Sequence, residues 1–584
     1  MIIAAVRRFI AFSLLLLLAS PLAAADVVHR VFTTDEDGMP GTREEWDTLT
    51  MQRREVVAHE HDQTVTVYNG REGWRRDWNG FVETLAGSDR RRQADIALLE
   101  TCTLPAAAQT VMPASSLLDI TRNPATGLPS KATMPSFDGT LTVTFADWKK
   151  VDGADFPFTE TWTTGPNTTT AHLQSVEIIK DIDLAPPKPG PNDAFFLRAH
   201  ATAETLPFNF DNNHIMVQAR VNGSVPIWFL VDTGANYTVI NTSRLDELHL
   251  STYGGMKTIG GGSAAASGAY VEHATYRLGE VELRDQHAAV LELKGLEKLY
   301  GMPMGGILGF DFLSRFVVDI DYVAQTLTLR PRSFDTTKLP GTHVPLVMQG
   351  EQPYLWGSIT VKGEKIQSWF ILDVGAADTI TFTTPFIAKH ELLERAGDPE
   401  KAVRKFAASD VEAFNPTNIR GLIDAVTIGD VTLPHVFVNL SAAKAGAYTS
   451  PAFDGNIGET ILARFAHVIL DYGRSAMILQ TRPSTTRPFE ERRGYGMSIV
   501  AGSPDLHQFT ITAVGASSAA AKAGFQKGDV ITAIDETPAA KLDLAAVQRV
   551  FRADGTQHEV VVRRGADEVT IHAAVTTAPI SKLH

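Results

Sequence analysis

The sequence predicts a mainly β protein made of several domains. Short runs of β-branched and other apolar residues, broken by Gly, Asn and Asp, recur along most of the chain. One pattern, Trp-Phe-x-x-Asp-x-Gly-Ala, occurs twice, and proline-bearing polar segments divide the chain into parts. At roughly 150 residues per domain, a chain of 584 residues holds about four domains. We therefore expect two repeated β-rich lobes with further domains on either side.

Composition excludes several classes of protein. The 44% hydrophobic and 21% charged residues are typical of a globular protein, and neither a disordered chain nor a polytopic membrane protein has this balance. With 67 acidic against 53 basic residues the chain offers no basic surface for a polyanion, so we expect no nucleic-acid partner. The single cysteine, Cys102, excludes an internal disulfide and a thiolate metal cluster, and we interpret it as a buried structural thiol.

The first 25 residues have the layout of a cleavable secretory signal. Arg7 and Arg8 precede an apolar stretch, Phe9 to Ala19, which is followed by the small residues Ala23 to Ala25. The apolar stretch is shorter than the ~18 residues that a membrane-spanning helix needs, and no later segment is apolar enough to span. We therefore expect a periplasmic or secreted protein without a membrane span.

Three proline-bearing polar segments predict the domain boundaries, because proline fixes φ and removes a backbone donor. The predicted units are a signal peptide at 1–25, an N-terminal β-rich domain at 26–190, two lobes at 200–334 and 345–481, and a C-terminal domain at 486–576.

The N-terminal domain has its own strand signals. Thr64 to Tyr68 alternates in polarity and runs into Asn69-Gly70, which predicts a hairpin with a two-residue turn, and Thr140 to Phe145 alternates in the same way. This pattern weakly resembles the curved half-barrel of periplasmic lipoprotein carriers. The resemblance implies a cavity for lipid or lipopeptide cargo as one role for the domain.

An internal repeat is the most informative feature of the sequence. Residues Trp228 to Ile240 align without gaps with Trp369 to Thr381, and Gly306 to Phe316 align with Gly455 to Phe465 in the same order. We interpret residues 196–480 as a tandem duplication that forms two β-rich lobes.

Each copy of the repeat delivers an aspartate from an apolar strand to a glycine turn. If the lobes pack about a pseudo-two-fold axis, Asp232 faces Asp373. Two carboxylates within about 3 Å share one proton. The ionised member can then take a proton from water while the protonated member donates to a peptide carbonyl, so hydrolysis needs neither metal nor cofactor. We expect this reaction to be favoured at acid to mildly acidic pH.

These motifs, with Ile-Leu-Gly309 and Asn-Ile-Gly458, resemble aspartic proteases of the retropepsin-like group over residues 205–481. The resemblance implies two retropepsin-like β lobes that form one active site in a single chain, with polypeptide substrates, no cofactor and a monomeric state. It assigns catalysis to Asp232 and Asp373. It assigns the active-site loops to Thr233, Gly234, Val374 and Gly375.

Two positions depart from the family pattern. Unit two has Val374 where the family has a hydroxyl that bonds across the dyad, and Asn456 is polar where the supporting stretch is usually apolar. A second hypothesis therefore remains open, that of a catalytically weak or inactive peptide-binding, chaperone-like protein using the same cleft. On the first hypothesis, Val374→Thr should raise the proteolytic rate or the thermal stability.

The glycine-rich stretch Ile259 to Gly268 lies where the family has a flap over the substrate, and we predict a mobile flap there. The stretch has no strand-to-helix context, so a phosphate loop is disfavoured. The matching region of unit two, Ala407 to Gly421, has no glycine run and predicts a lid of another shape.

Other catalytic constellations find little support. His59 and His61 are two residues apart and would lie on the same face of a strand, as two metal ligands can. No third ligand follows at a spacing typical of a metal site, so we expect none. The sequence contains no His-Glu-x-x-His motif, and Ser267 lacks the context of a nucleophilic serine.

The C-terminal segment resembles a PDZ domain over 486–576, with an α+β pattern and a helix predicted at Leu544 to Phe551. The resemblance implies that backbone N–H groups of Gly494, Tyr495, Gly496 and Met497 bind the C-terminal carboxylate of a peptide. The peptide would add as a strand beside Met497 to Val500. The alternative is a domain that only braces the lobes.

Overall fold

The computed structural model describes residues 26–104, 116–136, 139–165, 167–190, 194–198, 200–211, 213–259, 265–403, 418–444, 446–489, 495–502, 505–515 and 518–575. Within these ranges the protein is mainly β, as predicted. No helix among them combines the length and apolarity that crossing a membrane requires. The predicted signal peptide, residues 1–25, lies outside the described residues.

The N-terminal part is one large antiparallel sheet with a helix against it. Its elements are β1 (Val27–Glu36), β2 (Met39–Thr48), β3 (Arg53–His59), β4 (Gln63–Tyr68), β5 (Gly73–Arg76), β6 (Val82–Leu85), α1 (Gly87–Thr103), β7 (Asp119–Arg122), β8 (Pro129–Ser136), β9 (Gly139–Ala146), β10 (Lys149–Val151), β11 (Ala154–Phe156), β12 (Thr159–Thr164) and β13 (Asn167–Ile179). The main sheet has the order β6-β5-β4-β3-β2-β1-β13-β12-β9-β8-β7, and β10 pairs with β11.

This sheet is curved around α1. The helix packs against β2, β4 and β8, and seven strand spacings separate β4 from β8 in the sheet order. At about 4.8 Å per strand a flat sheet would place β4 and β8 about 34 Å apart, whereas a helix is only about 10–12 Å wide. A single helix reaches both strands only because the sheet curls.

One detail of this sheet differs from the prediction. Tyr68 pairs with Gly73, so β4 and β5 are joined by four residues and not by a two-residue turn at Asn69-Gly70. The side-chain oxygen of Asn69 accepts hydrogen bonds from the backbone N–H groups of Arg71 and Glu72, at 3.0 and 2.8 Å. These bonds stabilise a longer turn within the loop itself.

A network of buried charges fills the space between the sheet and α1. Arg30 and Arg53 are 0% and 1% exposed, and they form ion pairs with Glu45, Asp47 and Glu100. The three carboxyl groups lie close enough together to suggest a metal site, but guanidinium nitrogens of Arg30 and Arg53 already lie against them. Burial, and then the charge of Glu45, raise the pKa of Glu100 to about 8.

The first lobe contains a closed six-stranded barrel. Its elements are β14 (Phe195–Phe196), β15 (Glu204–Pro207), β16 (Met216–Val221), β17 (Ile227–Val231), β18 (Val239–Asn241), β19 (Thr252–Ile259), β20 (Ala265–Leu278), β21 (Val281–Leu291), α2 (Lys294–Tyr300), β22 (Met304–Leu308), α3 (Phe310–Leu313), β23 (Phe316–Asp321) and β24 (Thr326–Pro331). The barrel runs β16-β17-β22-β18-β21-β20 and closes by pairing of β20 with β16.

The second lobe has the same strand order. Its elements are β25 (Thr342–Pro345), β26 (Val347–Gln349), β27 (Gln352–Val361), β28 (Glu364–Leu372), β29 (Ile380–Phe382), α4 (Thr384–Lys389), α5 (Leu392–Ala396), β30 (Gly397–Val403), β31 (Asn418–Ile428), β32 (Val431–Ser441), β33 (Gly455–Ile457), α6 (Glu459–Leu462), β34 (His467–Asp471) and β35 (Ala476–Gln480). Its barrel runs β27-β28-β33-β29-β32-β31 and closes by pairing of β31 with β27.

The two lobes share a third sheet. Strands β15, β24 and β23 of the first lobe continue into β34, β35 and β25 of the second, and β23 pairs antiparallel with β34. The described apolar cores of both lobes form one continuous buried cluster. The lobes are therefore one folded unit with a fixed relative position.

The C-terminal domain is a separate sheet with two helices and its own apolar core. Its elements are β36 (Met497–Gly502), β37 (Gln508–Val514), α7 (Ala519–Ala523), β38 (Val530–Ile534), β39 (Thr537–Pro538), α8 (Leu544–Val550), β40 (Gln557–Arg564) and β41 (Asp567–Ala574). The main order is β36-β37-β38-β40-β41, so β36 is an edge strand.

Candidate active site

Each lobe brings its repeated aspartate to the same place in the barrel. Strand β17 leads into Asp232, whose backbone N–H donates to the carbonyl of Leu308 at 3.0 Å. Strand β28 leads into Asp373, whose N–H donates to the carbonyl of Ile457 at 2.9 Å. In both lobes the supporting strand runs parallel to the strand that carries the aspartate. The two aspartate turns are therefore anchored in the same way.

The structure brings Asp232 and Asp373 together, where their side chains hydrogen-bond to each other. The turns approach closely because glycine follows each aspartate by two positions. A Cβ atom at Gly234 would lie 2.9 Å from Oδ1 of Asp373, and one at Gly375 would collide with the carboxylate of Asp232. Any other residue at either position would push the two carboxyl groups apart.

The two carboxyl groups have different electrostatic surroundings. Burial, and then the negative charge of Asp373, raise the pKa of Asp232 to about 8. Burial also raises the pKa of Asp373, but a hydrogen bond from the side chain of Asn456 opposes this rise. The pair therefore favours sharing one proton, and the hydrogen bond from Asn456 favours the ionised form of Asp373.

A single hydroxyl bridges the two turns from one side. Thr233 Oγ1 donates to the carbonyl oxygen of Leu372 at 2.6 Å and accepts from the backbone N–H of Val374 at 3.1 Å. Val374, at the equivalent position of the second lobe, is completely buried. It has no hydroxyl with which to make the corresponding hydrogen bonds to the first lobe. The structure thus keeps half of the hydroxyl network expected between the two turns.

The predicted flap falls on a hairpin of the first lobe. Strands β19 and β20 pair over Thr252 to Ile259, and the tip of the predicted flap, residues 260–264, lies outside the described residues. In the second lobe β30 pairs with β31, and residues 407–417 of the predicted lid region lie outside the described residues.

The N-terminal domain contacts this hairpin. Lys257 Nζ lies 2.7 Å from Oδ1 of Asp37, and His61 Nδ1 lies 3.0 Å from Oε1 of Glu272. The ring of Trp78 packs against Tyr270, with ring centroids 5.3 Å apart. The hairpin therefore has ionic and aromatic contacts with the N-terminal sheet.

A turn of the second lobe connects the N-terminal domain to the first active-site loop. The side chain of Gln352 donates to the carbonyl of Gly234, and Asn236 Nδ2 donates to the carbonyl of Gly350 at 2.7 Å. On the other side of the turn, Arg75 lies 2.6 Å from Glu351. Sequence reasoning missed these residues because their partners lie more than 100 positions away in the chain.

The histidines considered as metal ligands have acidic partners instead. His59 Nδ1 lies 3.1 Å from Oδ1 of Asp62, which raises the pKa of His59. His61 lies beyond the end of β3 and faces Glu272. Cys102 is buried in α1, and burial raises the pKa of its thiol.

In the C-terminal domain, Gly494 lies outside the described residues, whereas Tyr495, Gly496 and Met497 are described. Tyr495 is 3% exposed and packs its ring against Phe551 in the domain core. Gly496 has φ of +85°, and a Cβ there would collide with Ser518. The side chain of Tyr495 therefore belongs to the domain core.

The strand that follows this loop is already in contact with the first lobe. Helix α2 packs against β36, and Gly301, which ends α2, lies against Leu544 at the start of α8. An ion pair of 3.6 Å between Arg549 and Asp211 joins the same two domains.

Comparisons with known proteins identify two parts of the chain. Residues 217–312 match the family model of aspartyl proteases, and residues 510–564 match that of PDZ domains. The first match covers most of the first barrel and ends before the second lobe. No curated protein matches the chain significantly.

Similar solved structures include a retropepsin-like aspartic protease from Rickettsia conorii, with 16% identity, covering 24% of this chain and 91% of that one, at a TM-score of 0.18. A LolA superfamily protein from Nitrosomonas europaea has 11% identity, and the alignment covers 28% of this chain and 89% of that one, with a TM-score of 0.21. A serine endoprotease from Yersinia pestis has 10% identity, and the alignment covers 54% of this chain and 90% of that one, with a TM-score of 0.16. These TM-scores are too low to carry an argument about function. The family matches place an aspartic protease domain and a PDZ domain in this chain.

Proposed function

We propose that this protein is an aspartic endopeptidase that hydrolyses peptide bonds with water activated between Asp232 and Asp373. The observation that carries the proposal is the hydrogen-bonded pair of carboxyl groups at the junction of two like barrels. One chain supplies both aspartates, so a monomer contains the whole site.

The chemistry follows from the shared proton. The ionised carboxylate takes a proton from a bound water, and the water oxygen attacks the carbonyl carbon of the substrate. At the same time the protonated carboxyl donates its proton to the carbonyl oxygen, which gives a tetrahedral diol. Collapse of the diol breaks the C–N bond, and the amine leaves with a proton returned by the dyad. The two aspartates thus supply both acid and base without a cofactor.

The test is cleavage of a fluorescently labelled unfolded protein from about pH 3 to 9, a range that spans the titration of such a dyad. The wild type, Asp232→Asn and Asp373→Asn should be compared as full-length chains. We expect cleavage by the wild type and a loss of at least a hundredfold in both variants. A wild type that does not cleave any unfolded substrate would refute the proposal.

One observation favours a second function, that of a peptide-binding, chaperone-like protein with the same cleft. Val374 has no hydroxyl at the position that matches Thr233, and a cleft with a weakened dyad would hold an extended chain without cutting it. Binding of unfolded protein by the wild type without product formation would support this alternative.

We further propose that the PDZ domain binds the C-terminal tails of polypeptides. Strand β36 lies at the edge of its sheet, where a peptide could add as a further strand, and α2 of the first lobe packs against it, so the peptide would have to displace α2. A fluorescent peptide with a free carboxyl terminus should bind the full chain, and the same peptide with an amidated terminus should bind much more weakly. Equal binding of both peptides would leave bracing of the lobes as the role of the domain.

We also propose that the protein works outside the cytoplasm, in the periplasm or as a secreted protein. The composition of residues 1–25 supports this proposal. Sequencing the N-terminus of the protein purified from its native source tests it, since cleavage near Ala25 is expected.

A further inference from the structure

The two halves of the active site differ at one matched position. Ile307 on β22 and Asn456 on β33 occupy the same place, because Ile307 pairs with Leu230 and Asn456 pairs with Ile371. Leu230 and Ile371 each precede the catalytic aspartate of their lobe by two residues. Side chains at these two positions therefore stand in the same relation to their own aspartates.

Only one of the two side chains can bond to a carboxylate. Asn456 is 4% exposed, and its Nδ2 donates to Oδ2 of Asp373 at 2.9 Å. Ile307 has only hydrocarbon to present to Asp232. The second lobe thus gives its aspartate a donor that the first lobe does not have.

The backbone around the two aspartates does not create this difference. Asp232 accepts from the N–H groups of Gly234 and Ala235, and Asp373 accepts from the corresponding groups of Gly375 and Ala376. These donors match between the lobes, so their effects on the two carboxyl groups largely cancel. The amide of Asn456 remains as the donor that distinguishes them.

Other titratable groups also surround the pair. They include Glu459 from α6, Tyr300 from α2, Tyr448 from the short 3-10 helix Ala447–Thr449, and Tyr472 from the turn after β34. Burial raises the pKa of Glu459 well above its usual value, which favours its uncharged form. Burial raises the pKa of each tyrosine as well. The surroundings thus favour uncharged neighbours, and the amide of Asn456 remains the difference between the two aspartates.

We propose that Asn456 is a positioning residue that makes Asp373 the general base of the dyad and leaves the proton on Asp232. A donor bonded to a carboxylate stabilises its ionised form. The substrate carbonyl is then protonated by Asp232, and water is activated by Asp373. This inference rests on the proposed proteolytic function, but its effect on ionisation does not require turnover.

The test compares Asn456→Ile, which copies the first lobe, with the double variant Asn456→Ile/Ile307→Asn, which moves the donor to the other aspartate. Profiles of kcat/KM against pH are measured for each. In Asn456→Ile the acid limb should move to higher pH by about one unit, because Asp373 gains a proton more readily without its donor. The double variant should restore the acid limb toward the wild-type position, with the roles of the aspartates exchanged.

Thermal unfolding provides a readout that is independent of activity. Because the donor stabilises only ionised Asp373, the loss of Tm in Asn456→Ile should be largest near neutral pH and should shrink as the pH falls and Asp373 takes up a proton. A loss of Tm that is equal at every pH, with an unmoved acid limb, would mean that Asn456 only fills space and would overturn the inference. If the wild type does not cleave but the Tm loss depends on pH, the proteolytic function fails while the role of Asn456 stands.

Discussion

Thr233→Val tests how the two active-site turns are held together. Valine fills the volume of threonine, so the main change is loss of the hydroxyl. That hydroxyl makes bonds of 2.6 Å to the carbonyl of Leu372 and 3.1 Å from the N–H of Val374. Thr233, Leu372 and Val374 are at most 1% exposed, so water cannot replace these bonds.

The size of the effect follows from the groups left without partners. A buried donor or acceptor that loses its hydrogen bond costs about 1–3 kcal/mol. Two such groups would lower the free energy of unfolding of the two-lobe unit by about 2–6 kcal/mol. The same hydroxyl also holds the two turns, and with them the carboxyl groups of Asp232 and Asp373, in position. We therefore expect the rate of proteolysis to fall as well.

The assay is urea unfolding of the full chain followed by tryptophan fluorescence, to which Trp228 and Trp369 on the strands that lead into the two aspartates contribute. The swapped variant Thr233→Val/Val374→Thr is the matched control, since it keeps one hydroxyl but moves it across the pseudo-two-fold axis. It should recover most of the lost stability. If Thr233→Val unfolds at the same urea concentration as the wild type and cleaves at the same rate, the bridging hydroxyl has no structural role.

Three further predictions concern the dyad, the PDZ domain and the buried charge network. Because the pKa of Asp232 is raised to about 8, proteolysis should decline as the pH rises through about 8 and the shared proton is lost, which a pH–rate profile would show. Gly301→Ala should loosen the contact of α2 with Leu544 and so increase the affinity of the full chain for a C-terminal peptide. The control Gly223→Ala has a similar positive φ but no neighbour within 4 Å, so it should leave this affinity unchanged. Equal peptide affinities of the two variants in fluorescence anisotropy would contradict the prediction. Burial and the charge of Glu45 raise the pKa of Glu100 to about 8, so the folded protein holds this proton and stability falls as the pH rises from the unfolded pKa toward 8. The Tm of Glu100→Gln should therefore be close to that of the wild type near pH 5 and should exceed it toward pH 8. A large loss of Tm at every pH would show that the charge of Glu100 is required.

The aspartate turns could be predicted from sequence because their determinants are local. Four apolar residues before each aspartate define a buried strand, and the glycine two positions later permits close approach. The repetition of the pattern indicates a two-fold relation, which predicts Asp232 opposite Asp373. The mainly β class followed from the same short apolar runs.

Other features depend on contacts that no local pattern encodes. Asn456 stood out in the sequence only as a polar residue in an apolar stretch, and its bond to Asp373 depends on the pairing of β33 with β28. The two-residue turn predicted at Asn69-Gly70 was wrong because the side chain of Asn69 stabilises a longer loop. The packing of α2 against β36 joins segments about 200 positions apart in the chain.

The N-terminal domain also contacts the candidate active site. Its Arg75 forms an ion pair with Glu351 of the second lobe. The residue that follows, Gln352, donates a side-chain hydrogen bond to the carbonyl of Gly234, beside the two aspartates. Its Trp78 packs against Tyr270 on the hairpin where a flap is predicted. Since one domain contacts both the base of the site and its cover, a shift of the N-terminal sheet would disturb both at once. A cavity of about 360 Å³ is lined by the sheet and α1, by Tyr237 and Tyr270 of the first lobe and by Glu351 of the second. Most of its lining side chains are charged or aromatic, which suits a polar group better than an acyl chain. The position of the domain thus argues for a role in shaping the candidate active site over a role in lipid transport.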